Sequence, residues 1–269
     1  MSAPERPRPK FPLQLDGLGG VPKKGPLLRP QQPLRQAAVD SARSVRPSGL
    51  GLDSADVRQR MVTKLQAAGL RDELVMAALA KVPRHLFVDT ALATQAYEDT
   101  SLPIGLGQTI SKPSVVGRMI ELLMNGPGAR TRRTLGHTLE IGTGCGYQAA
   151  VLAQLSRQLM SIERLKPLHD KARELLAPLR LNNIRLVYGD GMRGHPPNAP
   201  YDSIIAAAGG EALPDAWLAQ LAVGGRLVAP VHDASGRRQV LVVVDRTEEA
   251  YERSVHEAVN FVPLKSGTD

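Results

Sequence analysis

The ten residues LEIGTGCGYQ, 139–148, constrain the architecture more than any other stretch of this chain. An apolar strand end, Leu139 to Ile141, runs into Gly142, Thr143, Gly144, Cys145 and Gly146, and then directly into a helical period. Glycines there permit backbone angles closed to other residues and let a ligand approach where a Cβ would clash. The helix start beyond them presents unpaired amide donors. The pattern then repeats. Short apolar runs at 158–163, 184–190, 201–208 and 224–231 are interleaved with helical periods, at 146–156, 165–179 and 213–221 the clearest. Such alternation implies crossover connections and a parallel sheet covered on both faces. RQVLVVVDR (238–246) and SVHEAVNFVPL (254–264) are β-rich and separated only by polar residues, which predicts a terminal antiparallel pair. The predicted fold class is α/β, a doubly wound, mostly parallel sheet.

The spacing of the glycines bears on the ligand. A dinucleotide site uses G-x-G-x-x-G and lays a pyrophosphate on the helix end. This chain has G-x-G-x-G with Glu140 just before it, and a carboxylate there is unwelcome beside phosphates but suits a cation. Taken alone, the glycine run is a weak signal, and a structural turn is the lesser alternative. Two further acids add to it. Glu163 ends the next strand, where an acid can accept both ribose hydroxyls. Asp190, in YGDGMRG, ends the one after, placed to receive an adenine amino group while Gly191 gives the ring room. Each acid alone reads as a solvated strand end or a helix cap. Together they converge on the crevice at the carboxyl ends of the strands. That combination fits an adenosyl ligand without phosphates, with a positive charge: S-adenosyl-L-methionine.

Upstream lies a helical prelude. Residues 54–69 read as an amphipathic helix with Ser54 as N-cap and Gly69 at the stop; a second runs from near Asp72 to Leu79, before Pro83; a third spans 113–124. Between the last two lies the loop SLPIGLGQTISKP, 101–113. Residues 1–53 form a separate segment: 1–50 holds nine prolines and a surplus of six positive charges, out of +8 for the whole chain. This is a basic, Pro-rich arm, predicted to be disordered, before a folded domain at 54–269. The arm suits nucleic acid or an acidic partner, or is simply a solvated extension. Aromatics at 3% argue against a base-stacking surface. No apolar run is long enough for a bilayer, and the first twenty residues lack a secretory signal. Cys145 is the single cysteine; with it, a disulfide is excluded and a cytoplasmic location is expected. Its place inside the turn favours packing over redox chemistry. The six histidines show no ligand spacing, so no metal is expected.

VPRHLFV, LPIGLGQTISKP, LEIGTGCGYQ, SIERL, YGDG, YDSIIAAA and FVPL occur in an order that resembles the protein-L-isoaspartate (D-aspartate) O-methyltransferases, over about residues 55–265. The resemblance implies a Rossmann-like class I methyltransferase fold with S-adenosyl-L-methionine as donor and S-adenosyl-L-homocysteine as product. The implied substrates are isoaspartyl residues of damaged proteins and peptides, methylated to begin their repair. By position Ser111 matches the family's active-site serine. Gln108, Thr109 and Ile110 match loop positions closing over donor and substrate, with Thr109 also on the substrate side, and Gln239 matches a glutamine near that site. On the donor side the implied residues are Gln108, Thr109, Ile110, Glu140, Gly142, Thr143, Gly144, Gly146, Glu163, Asp190 and Gly191. Cys145 stands where serine is frequent, and Ser114 where a bulkier residue is frequent.

The loop's chemistry agrees. A carboxylate with a pKa near 4 is already ionised at neutral pH, so methylating it needs no general base, and the loop has neither histidine nor acid. Hydroxyls can hold such an oxygen without quenching it. Ser111, two residues before Pro113, also reads as an N-cap of the third helix, and the two roles are compatible. The alternative, a nucleic-acid methyltransferase acting through the basic arm, has against it a near-neutral body and YDSIIAAAGG where an N/D-P-P-Y/F/W motif would stand.

Overall fold

The computed structural model describes residues 55–233 and 235–269; the basic arm and the Ser54 cap expected above lie outside them. Helix α1 (Ala55–Ala67) buries Met61, Val62 and Leu65 and ends before Gly69, whose φ of 114° only glycine adopts without strain. Helix α2 (Glu73–Lys81) starts where Asp72 accepts the Val75 amide at 3.0 Å, and stops ahead of Pro83. The glycine-rich segment expected as a loop is an antiparallel hairpin, β1 (Leu102–Gly105) and β2 (Gln108–Ile110). It forms because Leu102, Ile104 and Ile110 alternate onto a buried face. Its tip takes positive φ at Gly105, Leu106 and Gly107. Helix α3 (Pro113–Met124) follows, then a short α4 (Pro127–Arg132) with no clear sequence signal.

The body runs β3 (Gly136–Ile141), α5 (Tyr147–Ala153), β4 (Ser156–Glu163), α6 (Lys166–Leu176), β5 (Ile184–Tyr188), β6 (Tyr201–Ala206), α7 (Asp215–Gln220), β7 (Leu221–His232), β8 (Gln239–Arg246) and β9 (Tyr251–Val259). The sheet order is β5-β4-β3-β6-β7-β8-β9, parallel through β7 and antiparallel for the last two pairings. Several boundaries differ from expectation by a few residues. Helix α5 ends at Ala153, not 156: the Leu155 amide turns back to Leu152 O, and Ser156 already pairs with Gly136. Strand β7 starts at Leu221, opposite Tyr201, rather than at 224. Strand β9 opens at Tyr251 and ends at Val259, because Phe261 to Leu264 leave the sheet and bridge to Gly209 instead.

Side chains alternate between two cores. Leu159, Ile205, Val228 and Leu241 face the helices of the prelude and α5, while Met160, Ile204, Leu227 and Val244 face Trp217 and Tyr201. Burial on both sides is what a parallel sheet requires. From β3 the chain winds outward through β4 to β5, then returns to β6 on β3's other side. The carboxyl ends of β3 and β6 therefore flank the crevice where such sheets hold ligands. No helix among the described residues is long and apolar enough to cross a membrane.

Candidate active site

At the switch point the Ala207 amide donates to Ile141 O at 2.8 Å, locking the two strand ends together. The turn leaves from here, with the Gly142 and Thr143 amides both on Ile162 O at 2.9 and 3.1 Å. Gly142, Gly144 and Gly146 have φ of 89°, 56° and 92°. Their tasks differ. A Cβ on Gly146 would lie 3.0 Å from Leu176, so that glycine admits α6. Gly142 and Gly144 line a cavity of about 470 Å³. Cys145, between Gly144 and Gly146, is buried against the same cavity, and burial pushes its thiol up to about 11, which disfavours the reactive thiolate.

Glu140 stands behind the turn, fully buried. Its Oε2 accepts from Ser161 Oγ at 2.5 Å and its Oε1 from Gln148 Nε2 at 3.1 Å; Ser161 Oγ is also 2.6 Å from Thr143 Oγ1. Burial pushes its carboxyl up to about 8, with the two hydrogen bonds opposing and the Glu163 charge adding to the rise. Burial thus favours the neutral form of this acid. Thr143 and Gln148 line the cavity and connect it to this acid.

Glu163, also buried, reaches the cavity wall. Its Oε2 takes the Gly144 amide at 2.8 Å and its Oε1 the Leu165 amide at 3.0 Å, so both oxygens are aimed by backbone and keep lone pairs for a ligand. Gly191 must be glycine: a Cβ would sit 2.6 Å from Ile141 Cγ2. Its carbonyl is held by Trp217 Nε1 at 2.8 Å. Asp190 lies just behind the cavity lining, and both of its oxygens are likewise aimed by backbone. One oxygen caps the following 3₁₀ turn at Met192 N, 2.9 Å, and the other accepts from Gly267 N at 2.8 Å.

The hairpin makes the opposite wall. Arg84, buried, donates from Nη2 to Ser111 O at 2.8 Å and Thr100 O at 3.3 Å, and from Nε to Ala96 O at 2.8 Å, with its guanidinium 4.6 Å above the Tyr147 ring. Lys171 reaches from α6 to Ile104 O at 3.3 Å. The cap expected at Ser111 is not there: Lys112 occupies the N-cap position without a side-chain bond, and Asp99 accepts the Ser114 amide at 2.8 Å. Pro113 at the first helical position removes a donor, and Asp99 serves another from a distance.

Gln108, Thr109, Ile110, Ser111, Gly142, Thr143, Gly144, Glu163 and Gly191 all line the first cavity. Glu140, Gly146 and Asp190 back it from outside. Thr109 and Ser111 also line a second cavity of about 610 Å³, shared with Gln239. The Gln239 amide is spent on Phe261, accepting its N–H at 2.7 Å and donating to its carbonyl at 3.2 Å. That clamp steers residues 262–265 along the first cavity, where Gly209 N meets Val262 O and Leu264 N meets Gly209 O. Sequence reasoning missed Arg84, Asp99 and Lys171, and had the tail only as the motif FVPL, without its place along the cavity. Of those side chains only Arg84 left a trace, as a cation inside the apolar run VPRHLFV. Among the described residues no cluster of His, Cys, Asp and Glu suits a metal.

Known proteins match this arrangement. The family model described as Protein-L-isoaspartate(D-aspartate) O-methyltransferase matches residues 56–269. A protein-L-isoaspartate O-methyltransferase of Methylibium petroleiphilum is 66% identical over the full length of both chains. One of Leptothrix cholodnii is 62% identical over 89% of this chain and 84% of its own. A Plasmodium falciparum protein solved in complex with S-adenosyl-L-homocysteine shares the fold at a TM-score of 0.67, with 22% identity, over 77% of this chain and 98% of its own. A family model spanning the whole described domain, and relatives this similar along it, settle the lineage: the chain belongs to the protein-L-isoaspartate(D-aspartate) O-methyltransferase family.

Proposed function

We infer that this chain is an S-adenosyl-L-methionine-dependent carboxyl O-methyltransferase that methylates the free carboxylate of isoaspartyl residues in damaged proteins and peptides. The observation carrying this reading is that Thr109 and Ser111 line two cavities at once, one bounded by the glycine turn and Glu163, the other leading outward. The first fits the donor: its floor lacks Cβ atoms at Gly142 and Gly144, and the buried Glu163 carboxylate faces ribose-type hydroxyls. Gln108, Ile110, Thr143 and Gly191 complete that wall, while Glu140, Gly146 and Asp190 support it.

The donor supplies an electrophilic methyl on a positive sulfur. This chain's residues hold the acceptor oxygen in line with it. The Ser111 and Thr109 hydroxyls donate to the carboxylate, which is ionised without help from any base. One oxygen–carbon bond forms, one carbon–sulfur bond breaks, and its electron pair stays on sulfur. No proton moves. An anion and a cation become two neutral groups, so the hairpin and the tail favour the step by keeping water from solvating the charges. Positioning of this kind supplies roughly 7–11 kcal/mol in favourable cases. Cys145 as the single cysteine fits a reducing compartment, and we place the enzyme in the cytoplasm.

Tritium transfer to an isoaspartyl peptide, its aspartyl twin and tRNA tests the reading. Label on the isoaspartyl peptide alone is expected; equal label on the twin, or label on tRNA only, rejects it. Ser111→Ala should lower kcat by on the order of a hundredfold, the cost of misplacing the reacting oxygen, and change donor affinity far less. Intact turnover would remove Ser111 from the chemistry. Glu163→Ala should weaken S-adenosyl-L-homocysteine binding by roughly tenfold or more in calorimetry, as two charged hydrogen bonds are lost.

A further inference from the structure

We propose that the outer cavity selects isoaspartyl sites flanked by acidic side chains, with Arg237 and Arg238 reading that charge; this rests on the activity inferred above. The cavity begins at Ser111 and Thr109 and opens past Lys112, Arg237 and Arg238. Among the residues lining it there is no Asp or Glu, while His232 adds a further basic group. Arg237 and Arg238 are exposed on the connection between β7 and β8. Neither they nor Lys112 forms an ion pair among the described residues.

The acids close to this wall are turned elsewhere. Asp233 accepts the Ser235 hydroxyl at 2.6 Å and amide at 3.1 Å within its own turn, and Asp99 serves the start of α3 through the Ser114 amide. Glu257, farther along β9, is paired with Arg118 at 2.6 Å. Asp233 shares the turn and accepts from the Arg237 and Arg238 backbone, but among the described residues no carboxylate pairs with the positive side chains lining the groove. An extended peptide advances about 3.3 Å per residue, and charges act over a Debye length of about 8 Å at physiological salt. The residues flanking the reacting carboxylate then run along the cavity wall that carries Lys112, Arg237 and Arg238. Exposed charges at a rim chiefly change partner choice and encounter rate, which is the work of a selector and not of a catalytic group.

The test compares kcat/KM for three isoaspartyl peptides identical except for Glu, Gln or Lys at the flanking positions. The expected order is Glu, Gln, Lys, separated by roughly fivefold per step, the upper end for exposed pairs, and narrowing as salt is raised. The double variant Arg237→Glu, Arg238→Glu should invert the order while calorimetric uptake of S-adenosyl-L-homocysteine, which reports a folded donor site, stays as in the unmodified chain. Equal rates for the Glu and Lys peptides, or an unchanged order in the folded variant, overturn the charge selection and leave the activity standing. Absence of label on all three peptides overturns the activity and the selection together.

Discussion

Replacing Glu140 by Gln should make the ligand-free protein markedly more stable at pH 8 and hardly different at pH 5. The carboxyl ionises near 4.5 in its ordinary setting and is pushed up to about 8 in the fold, chiefly by burial. Between those values the folded chain keeps a proton that the unfolded chain has released. The unfolded state then binds fewer protons, so stability falls as pH rises from about 4.5 to about 8 and levels off above. At 1.36 kcal/mol per unit, discounted for relaxation around the charge, the loss is on the order of 2–4 kcal/mol. A glutamine keeps the shape, and its amide can still meet Ser161 and Gln148, but it carries no proton to lose. Urea unfolding at several pH values would show a slope between 5 and 8 in the original protein and a flat line in the variant. Parallel slopes would mean that Glu140 is ionised throughout. The same acid should couple to the ligand: a cation near Thr143 and Gln148 favours the ionised form, so donor uptake near neutral pH should release a proton.

The second large effect concerns Arg84. Arg84→Met should cost about 2–4 kcal/mol of stability, since carbonyls left without donors lose about 1–3 kcal/mol each, partly offset because an expensive buried cation is gone. The burial that lowers its pKa also measures that expense. One of those carbonyls belongs to Ser111, so the loss extends to chemistry: kcat should fall by about tenfold, with donor affinity kept because Arg84 does not line the donor cavity. Arg84→Lys should recover part of the stability and little of the rate, because an ammonium cannot reproduce a fork spread over Ala96, Thr100 and Ser111. A stability loss with kcat intact would make Arg84 purely structural.

What the sequence disclosed follows from the range of each signal. The strand–turn–helix at 139–148 and the alternation after it are local, since period-two burial and glycine angles are written in adjacent letters. Glu163 was legible for the same reason, as a strand end at a fixed distance. The hairpin was not: its strands are four and three residues long, Pro103 argues against a strand, and the tip places Leu106 in a conformation non-glycine residues rarely adopt. Asp99 serving Ser114, and Arg84 serving Ser111 across 27 positions, are side-chain bonds to distant backbone that leave no periodic trace. Asp190 was legible as a strand-end acid, but nothing near it in the sequence shows that Gly267, 77 residues on, donates to one of its oxygens.

That last contact has a practical side. Asp269 donates its amide to Arg164 O and accepts from the Tyr188 hydroxyl at its carbonyl, and it borders the donor cavity together with Lys265. Bulk attached at the Asp269 or Lys265 side chain would stand at the rim of the cavity proposed for the donor and compete with what enters there.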